Sequence, residues 1–86
     1  MSTITVKLRF FASLREKLGE ADSLVLPAGS SVAAARDALL ARGGVHAEAL
    51  ARDRAVRAAL NQKMAPEGAT LADGDELAFF PPVTGG

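Results

Sequence analysis

Asp73-Gly74-Asp75-Glu76-Leu77-Ala78-Phe79-Phe80-Pro81-Pro82-Val83-Thr84-Gly85-Gly86 is the stretch on which the reading of this chain turns. Asp73-Gly74 signals a tight turn, because glycine supplies the positive φ such a turn demands. Glu76 to Phe80 then reads as a short apolar strand. Neighbouring strand residues point to opposite faces, so Phe79 and Phe80 cannot share one core. With Leu77 and Phe79 turned inward, Phe80 is left on the outer face. Pro81 and Pro82 fix φ and withhold two amide donors, so a central strand cannot continue past Phe80. Pro81 to Gly86 can reach roughly 20 Å at about 3.3 Å per residue. The diglycine carries no β-carbon and can enter a channel too narrow for any other residue. This predicts a domain over residues 1–80 and an extended tail over 81–86 that delivers the Gly86 carboxylate to another protein. Taken alone, a terminal diglycine is also what a frayed end or a cloning remnant looks like.

Upstream, Thr3 to Phe10 alternates, with Ile4, Val6, Leu8 and Phe10 on one side and Thr5, Lys7 and Arg9 on the other. A period of two marks a strand with one buried face. Ala12 to Leu18 reads as a short helical turn stopped at Gly19. Ser23 to Leu26 is a second strand closed by Pro27-Ala28-Gly29. Ser30 or Ser31 caps the strongest helix signal, Val32 to Ala41, which Gly43-Gly44 ends. His46 to Arg52 can add a helical turn, and Ala55 to Leu60 with Lys63-Met64 forms a hairpin around Asn61-Gln62. The first and last strands are the most apolar and are expected to be central and adjacent. A sheet of about five strands with one main helix across a face is a small α+β domain, arranged as in the ubiquitin-like β-grasp.

The bulk composition narrows the function. The 86 residues carry ten basic and ten acidic side chains, so no global field draws the chain to nucleic acid or to an anionic membrane. With no cysteine, disulfides, thiolate metal sites and a thiol nucleophile are all ruled out. No apolar run approaches the roughly 20 residues that span a bilayer, and no signal peptide is visible. The expectation is a cytoplasmic single-domain protein.

A self-contained enzyme is not expected. His46 is the only histidine and is expected to be exposed in a glycine-rich joint. Ser30 and Ser31 suit helix capping better than nucleophilic attack. Asp73 and Asp75 suit a turn better than a metal, and Gly43-Gly44 lacks the lysine and spacing of a phosphate loop. Four phenylalanines, without Tyr or Trp, make no base-stacking platform. The same strand parity that turns Phe80 outward releases Phe11 outward after Phe10. Phe11 and Phe80, with Met64 completing them, would form an apolar docking patch at the root of the tail. The alternative for Phe11 is a place under the first helical turn.

The C-terminal stretch from Asp73 to Gly86 closely resembles the C-terminus of the small-subunit family of molybdopterin synthase. Phe10-Phe11-Ala12-Ser13-Leu14-Arg15-Glu16 and Asn61-Gln62 are similar to further recurrent segments of that family, whereas residues 19–55 carry little that is diagnostic. The resemblance implies a β-grasp sulfur carrier that is not an enzyme on its own. Gly86, preceded by Gly85, would be adenylated by an ATP-dependent activating enzyme of the ubiquitin-activating type. The adenylate would then be converted to a thiocarboxylate. Sulfur would pass to cyclic pyranopterin monophosphate in a pocket of the large subunit, in a heterotetramer of two small and two large subunits. Two transfers build the dithiolene of molybdopterin. By position, Phe11, Met64 and Phe80 would dock on the partner, Arg15 would make polar contacts, and Pro81, Pro82, Val83 and Thr84 would thread into it. The resemblance implies no stably bound cofactor and no metal; ATP is consumed by the activating enzyme. A thiamine-pathway sulfur carrier and a ubiquitin-like protein modifier share the fold and the diglycine, and a plain interaction module is a third reading.

Overall fold

The alternation in Thr3–Phe10 is realised as strand β1, which buries Ile4, Val6, Leu8 and Phe10 and turns Thr5 and Lys7 to solvent. The structure is a computed structural model and describes residues 2–82. Strand β5 (Glu76–Phe80) lies parallel to β1, with Leu8 opposite Leu77 and Phe10 opposite Phe79. The Phe10 and Phe79 rings stack at 6.3 Å between centroids and 18° between planes, within the range in which aromatic pairs attract beyond their burial. Strand β2 (Ala21–Pro27) pairs antiparallel with β1, β3 (Arg57–Leu60) antiparallel with β5, and β4 (Lys63–Ala65) antiparallel with β3. The sheet order is β2-β1-β5-β3-β4, so the first and last strands are adjacent and flanked on both sides, as the sequence predicts.

Parallel neighbours cannot be joined by a hairpin, and the long connection between β1 and β5 carries the covering helix. That helix, α2 (Val32–Leu40), sets Val32, Ala35 and Leu39 into the core against the inner face of the sheet. Ser31 is its N-cap, its Oγ accepting from the Ala34 amide at 3.2 Å, while Ser30 Oγ donates to the Pro27 carbonyl. Two shorter helices, α1 (Ala12–Leu18) and α3 (Gly44–Ala49), close one end. This is the ubiquitin-like β-grasp, an α+β domain.

Three local expectations are corrected. Strand β2 starts at Ala21, two residues before Ser23, because backbone pairing with Leu8 and Arg9 extends the ladder past the apolar run. Helix α3 begins at Gly44, not His46, and ends at Ala49, with Gly43 at φ 71° and Gly44 at φ 54° turning the chain directly into it. His46 is half-buried, with Nε2 inaccessible and without a partner among the described residues, because α3 packs onto α1 and α2.

The largest feature that periodicity alone did not announce is Arg36, which is buried. Its Nε donates to the Leu50 carbonyl at 2.8 Å, and its Nη2 to the carbonyls of Ala51 at 2.6 Å and Arg54 at 3.2 Å. Nη1 faces Glu67 at 3.3 Å. Buried carbonyls need donors, and this one side chain supplies several to the connection between α3 and β3. That tethering explains why β3 begins at Arg57 and not at Ala55.

The β3–β4 turn places both central residues in left-handed backbone, Asn61 at φ 50° and Gln62 at φ 70°. This geometry suits the twist of a two-residue hairpin. Asn61 is further bound to the start of β5, its Oδ1 accepting from the Glu76 amide and its Nδ2 donating to Asp75, each at 3.0 Å. Gln62 has no such compensation among the described residues. Gln62→Gly therefore stabilises the fold by about 0.5–1 kcal/mol, the relief of left-handed strain less the added freedom of the unfolded chain. A higher midpoint in urea unfolding checks this; an unchanged or lower midpoint refutes it.

Candidate functional site

The outer face of the sheet, opposite α2, gathers the docking residues expected from the sequence. Phe80 sits at the end of β5, half-buried, opposite Arg57 of β3 in the strand register. Phe11 follows β1 and is 43% exposed, its amide donating to the Phe79 carbonyl at 3.2 Å. That bond holds the Phe11 main chain beside the last turn of β5. Ala12, immediately after, takes φ 54°, a left-handed conformation that costs an alanine about 1–2 kcal/mol. The strain reverses the chain from β1 into α1 and leaves Phe11 in the open, not under the helix. Arg15 lies one helical turn on, its amide donating to the Phe11 carbonyl, and is exposed.

Met64 is 62% exposed and stands opposite Ala59, which in turn stands opposite Ala78 of β5. Two strand spacings of about 4.8 Å separate Met64 from the β5 line. Small residues lie between the large ones, Ala59 half-buried and Ala78 buried. Arg9 was not singled out from the sequence, yet it borders this area. Its guanidinium carbon lies 5.8 Å from the centre of the Phe11 ring, and Glu76 and Glu20 stand 4.0 and 3.9 Å from its nitrogens. A cation over an aromatic face is attractive and holds the ring in one place.

Pro81 and Pro82, both half-buried, lead away from this face. Pro81 lines a groove of about 200 Å³ with Leu14 and Lys17 of α1 and Arg54, Ala55 and Val56 of the connection before β3. Pro82 borders a second depression with Arg54, Arg57 and Glu67. The bed on which the tail starts is thus the connection that Arg36 ties down. Val83, Thr84, Gly85 and Gly86 lie outside the described residues.

Asp73 and Asp75, considered for chemistry elsewhere, are occupied with structure, whereas His46 Nε2 has no partner among the described residues. Asp73 Oδ1 accepts from the Thr5 amide at 2.7 Å, and Asp75 Oδ2 from the Ala72 amide at 2.8 Å. Together with the Gly74 amide bound to the Thr5 carbonyl, they fasten the turn before β5 to β1. Asp22 lies on β2, away from the tail; the hydrogen bond from Arg42 at 2.8 Å, aided by the Ser23 amide, holds its carboxyl below the usual carboxylate range. No helix among the described residues is long and apolar enough to cross a membrane.

A β-grasp body with exposed apolar side chains at the root of a C-terminal extension defines a ubiquitin-like protein. Residues 8–86 match the model of the ThiS family, and the chain belongs to that family. It is 42% identical over 81 residues to the molybdopterin synthase sulfur carrier subunit of Escherichia coli, covering 94% of this chain and 99% of that one. Among solved structures, the small archaeal modifier protein 1 of Haloferax volcanii superposes with a TM-score of 0.78 at 28% identity, over 93% of this chain and 99% of that one. Subunits 1 and 2 of the molybdopterin-converting factor of Helicobacter pylori form a protein-protein complex; a chain of it matches at TM-score 0.65 and 24% identity, over 96% of this chain and 100% of that one, a likeness of fold.

Proposed function

We propose that this chain is the sulfur-carrier small subunit of a molybdopterin synthase and works through a thiocarboxylate on Gly86. The observation that carries the reading is the match to the Escherichia coli sulfur carrier subunit over nearly the whole of both chains. The geometry supports it: Phe11 is exposed beside the end of β5, where the tail departs, and the side chains of Ser31, Asp73 and Asp75 are engaged in turns and caps.

A carboxylate is a poor electrophile, because its charge is delocalised and oxide is a poor leaving group. In the proposed sequence, an activating enzyme joins a Gly86 carboxylate oxygen to the α-phosphorus of ATP, releasing pyrophosphate. The terminal sulfur of a carrier persulfide then attacks the acyl carbon and AMP leaves with that oxygen, giving an acyl disulfide. A thiol attacks the carrier's sulfur, forms a disulfide with it and releases the C-terminal thiocarboxylate. Its anionic sulfur is a soft nucleophile at neutral pH. Inside the large subunit it attacks a carbon of the pyranopterin substrate and displaces an oxygen substituent from it. Water then cleaves the resulting thioester, leaving the sulfur on the pterin and returning Gly86 as a carboxylate. A second charged tail completes the dithiolene. Phe11, Phe80 and Met64 anchor the partner, Arg15 adds polar contacts, and Pro81 through Thr84 thread the channel. The complex formed by the Helicobacter pylori subunits supports a partner of this kind. The setting proposed is the cytoplasm, with two small and two large subunits.

The test is intact-mass measurement after incubation with the activating enzyme, ATP and a sulfur source. The expected product is heavier by the difference between sulfur and oxygen, and it converts the pyranopterin when the large subunit is added. An unchanged mass overturns the reading. The likeness to a small archaeal modifier favours a second reading, attachment of Gly86 to lysines of other proteins; isopeptide-linked adducts without pterin conversion would replace the first reading with this one.

A further inference from the structure

The cations of this chain fall into two groups. Arg9, Arg36, Arg42 and Arg52 hold ion pairs within the body. Six hold none among the described residues; of these Lys17, Arg54 and Arg57 stand where the tail leaves, whereas Lys7, Arg15 and Lys63 do not line that region. Lys17 and Arg54 border the groove under Pro81; Arg54 and Arg57 border the depression beside Pro82. Arg57 lies opposite Phe80 in the register, on the same face as the apolar patch. The main chain of Arg54 is pinned, its amide donating to the Ala51 carbonyl at 2.8 Å and its carbonyl accepting from buried Arg36. Glu67 also borders the Pro82 depression, but its Oε1 is already bound by Arg36 and Arg52.

Like charges gathered on a fixed frame repel one another in the free protein, and an incoming counter-charge relieves that repulsion. We propose that Lys17, Arg54 and Arg57 form an electrostatic rim, continuous with the Phe11–Phe80 patch, that docks on a carboxylate-bearing surface around the mouth of the large subunit's channel. The proposal rests on the sulfur-carrier reading and adds to it the charge of the surface that receives the tail. Guanidinium groups suit carboxylates, which they grip with paired hydrogen bonds. The chain as a whole is neutral, so the attraction is local to this rim.

The experiment is stopped-flow association of the full chain with the purified large subunit at low ionic strength, comparing wild type with the double variant Arg54→Glu, Arg57→Glu. The association rate constant falls about tenfold to a hundredfold, as expected for steering, while dissociation changes far less. The defect shrinks at ~0.5 M salt, where screening acts within about 4 Å. Arg54→Lys with Arg57→Lys keeps the wild-type rate constant at low salt. Both arginines are exposed, so thermal melting of the variants matches wild type. Unchanged association of the double Glu variant overturns the rim while leaving the sulfur-carrier reading intact. A loss confined to the activating enzyme also overturns the assignment to the large subunit. Failure of the wild-type chain to associate with the large subunit overturns both.

Discussion

Removing Gly86, or adding one residue after it, abolishes thiocarboxylate formation and leaves the melting temperature of the protein unchanged. The body is closed by β5, which ends at Phe80, and its core is built from residues between Ile4 and Phe79. In the proposed chemistry Gly86 is the reacting group. One residue of extended chain moves the carboxylate by about 3.3 Å, and a misplacement of even 1 Å can cost a reaction about a hundredfold. An added residue also puts a β-carbon where the channel admits only glycine. Mass spectrometry of both variants after incubation with the activating enzyme, ATP and a sulfur source reads the result. A sulfur-for-oxygen exchange on the extended protein, with the added residue still attached, refutes the assignment of Gly86 as the reactive position.

The central part of the fold could be read from the sequence for a physical reason. Strands β1 and β5 bury one face each, and a slip of one residue would turn every side chain to the wrong side. That is why the parity of Phe79 and Phe80, and of Phe10 and Phe11, followed from counting. The Asn61-Gln62 turn was legible as well, although only the structure shows that Asn61 also caps the start of β5. Arg36 was missed because charge outweighed position. It occupies the helical stripe of Val32, Ala35 and Leu39, four residues after Val32, and that spacing was the available signal. The start of α3 was missed because paired glycines read as a stop, whereas here they also turn the chain into the next helix.

At the candidate site, Phe11 and Phe80 could be found from strand parity, whereas Met64 rested on the adaptability of methionine and on the resemblance. Arg57 could not be found. Arg57 borders Phe80 only through the β3–β5 register, which joins segments about twenty residues apart in sequence. That relation is fixed by tertiary pairing, and a linear pattern does not contain it. Arg9 and Phe11, two residues apart in extended backbone, do share a face by parity, but only the structure shows the guanidinium 5.8 Å from the ring centre. The sheet thereby has two unlike faces: the inner one holds the domain together, and the outer one carries the side chains proposed to meet a partner.

That division can be tested with one pair of neighbouring residues. Phe79→Ala destabilises the fold by about 3–5 kcal/mol, the usual loss when a buried phenylalanine is truncated. Phe79 is 1% exposed and stacks on Phe10, so its removal leaves a cavity between the two central strands. For a domain of this size the melting temperature falls by about 15–30 °C. Phe80→Ala does the reverse. Its side chain lies on the outer face beside Arg57, so folding is little affected. Association with the large subunit weakens by about 1–3 kcal/mol, as for an aromatic anchor removed from an interface. Thermal melts and binding titrations on the two variants separate the outcomes. A Phe80→Ala protein that melts early while Phe79→Ala binds and folds normally would invert the faces. Equal binding by Phe80→Ala and wild type would remove Phe80 from the docking surface.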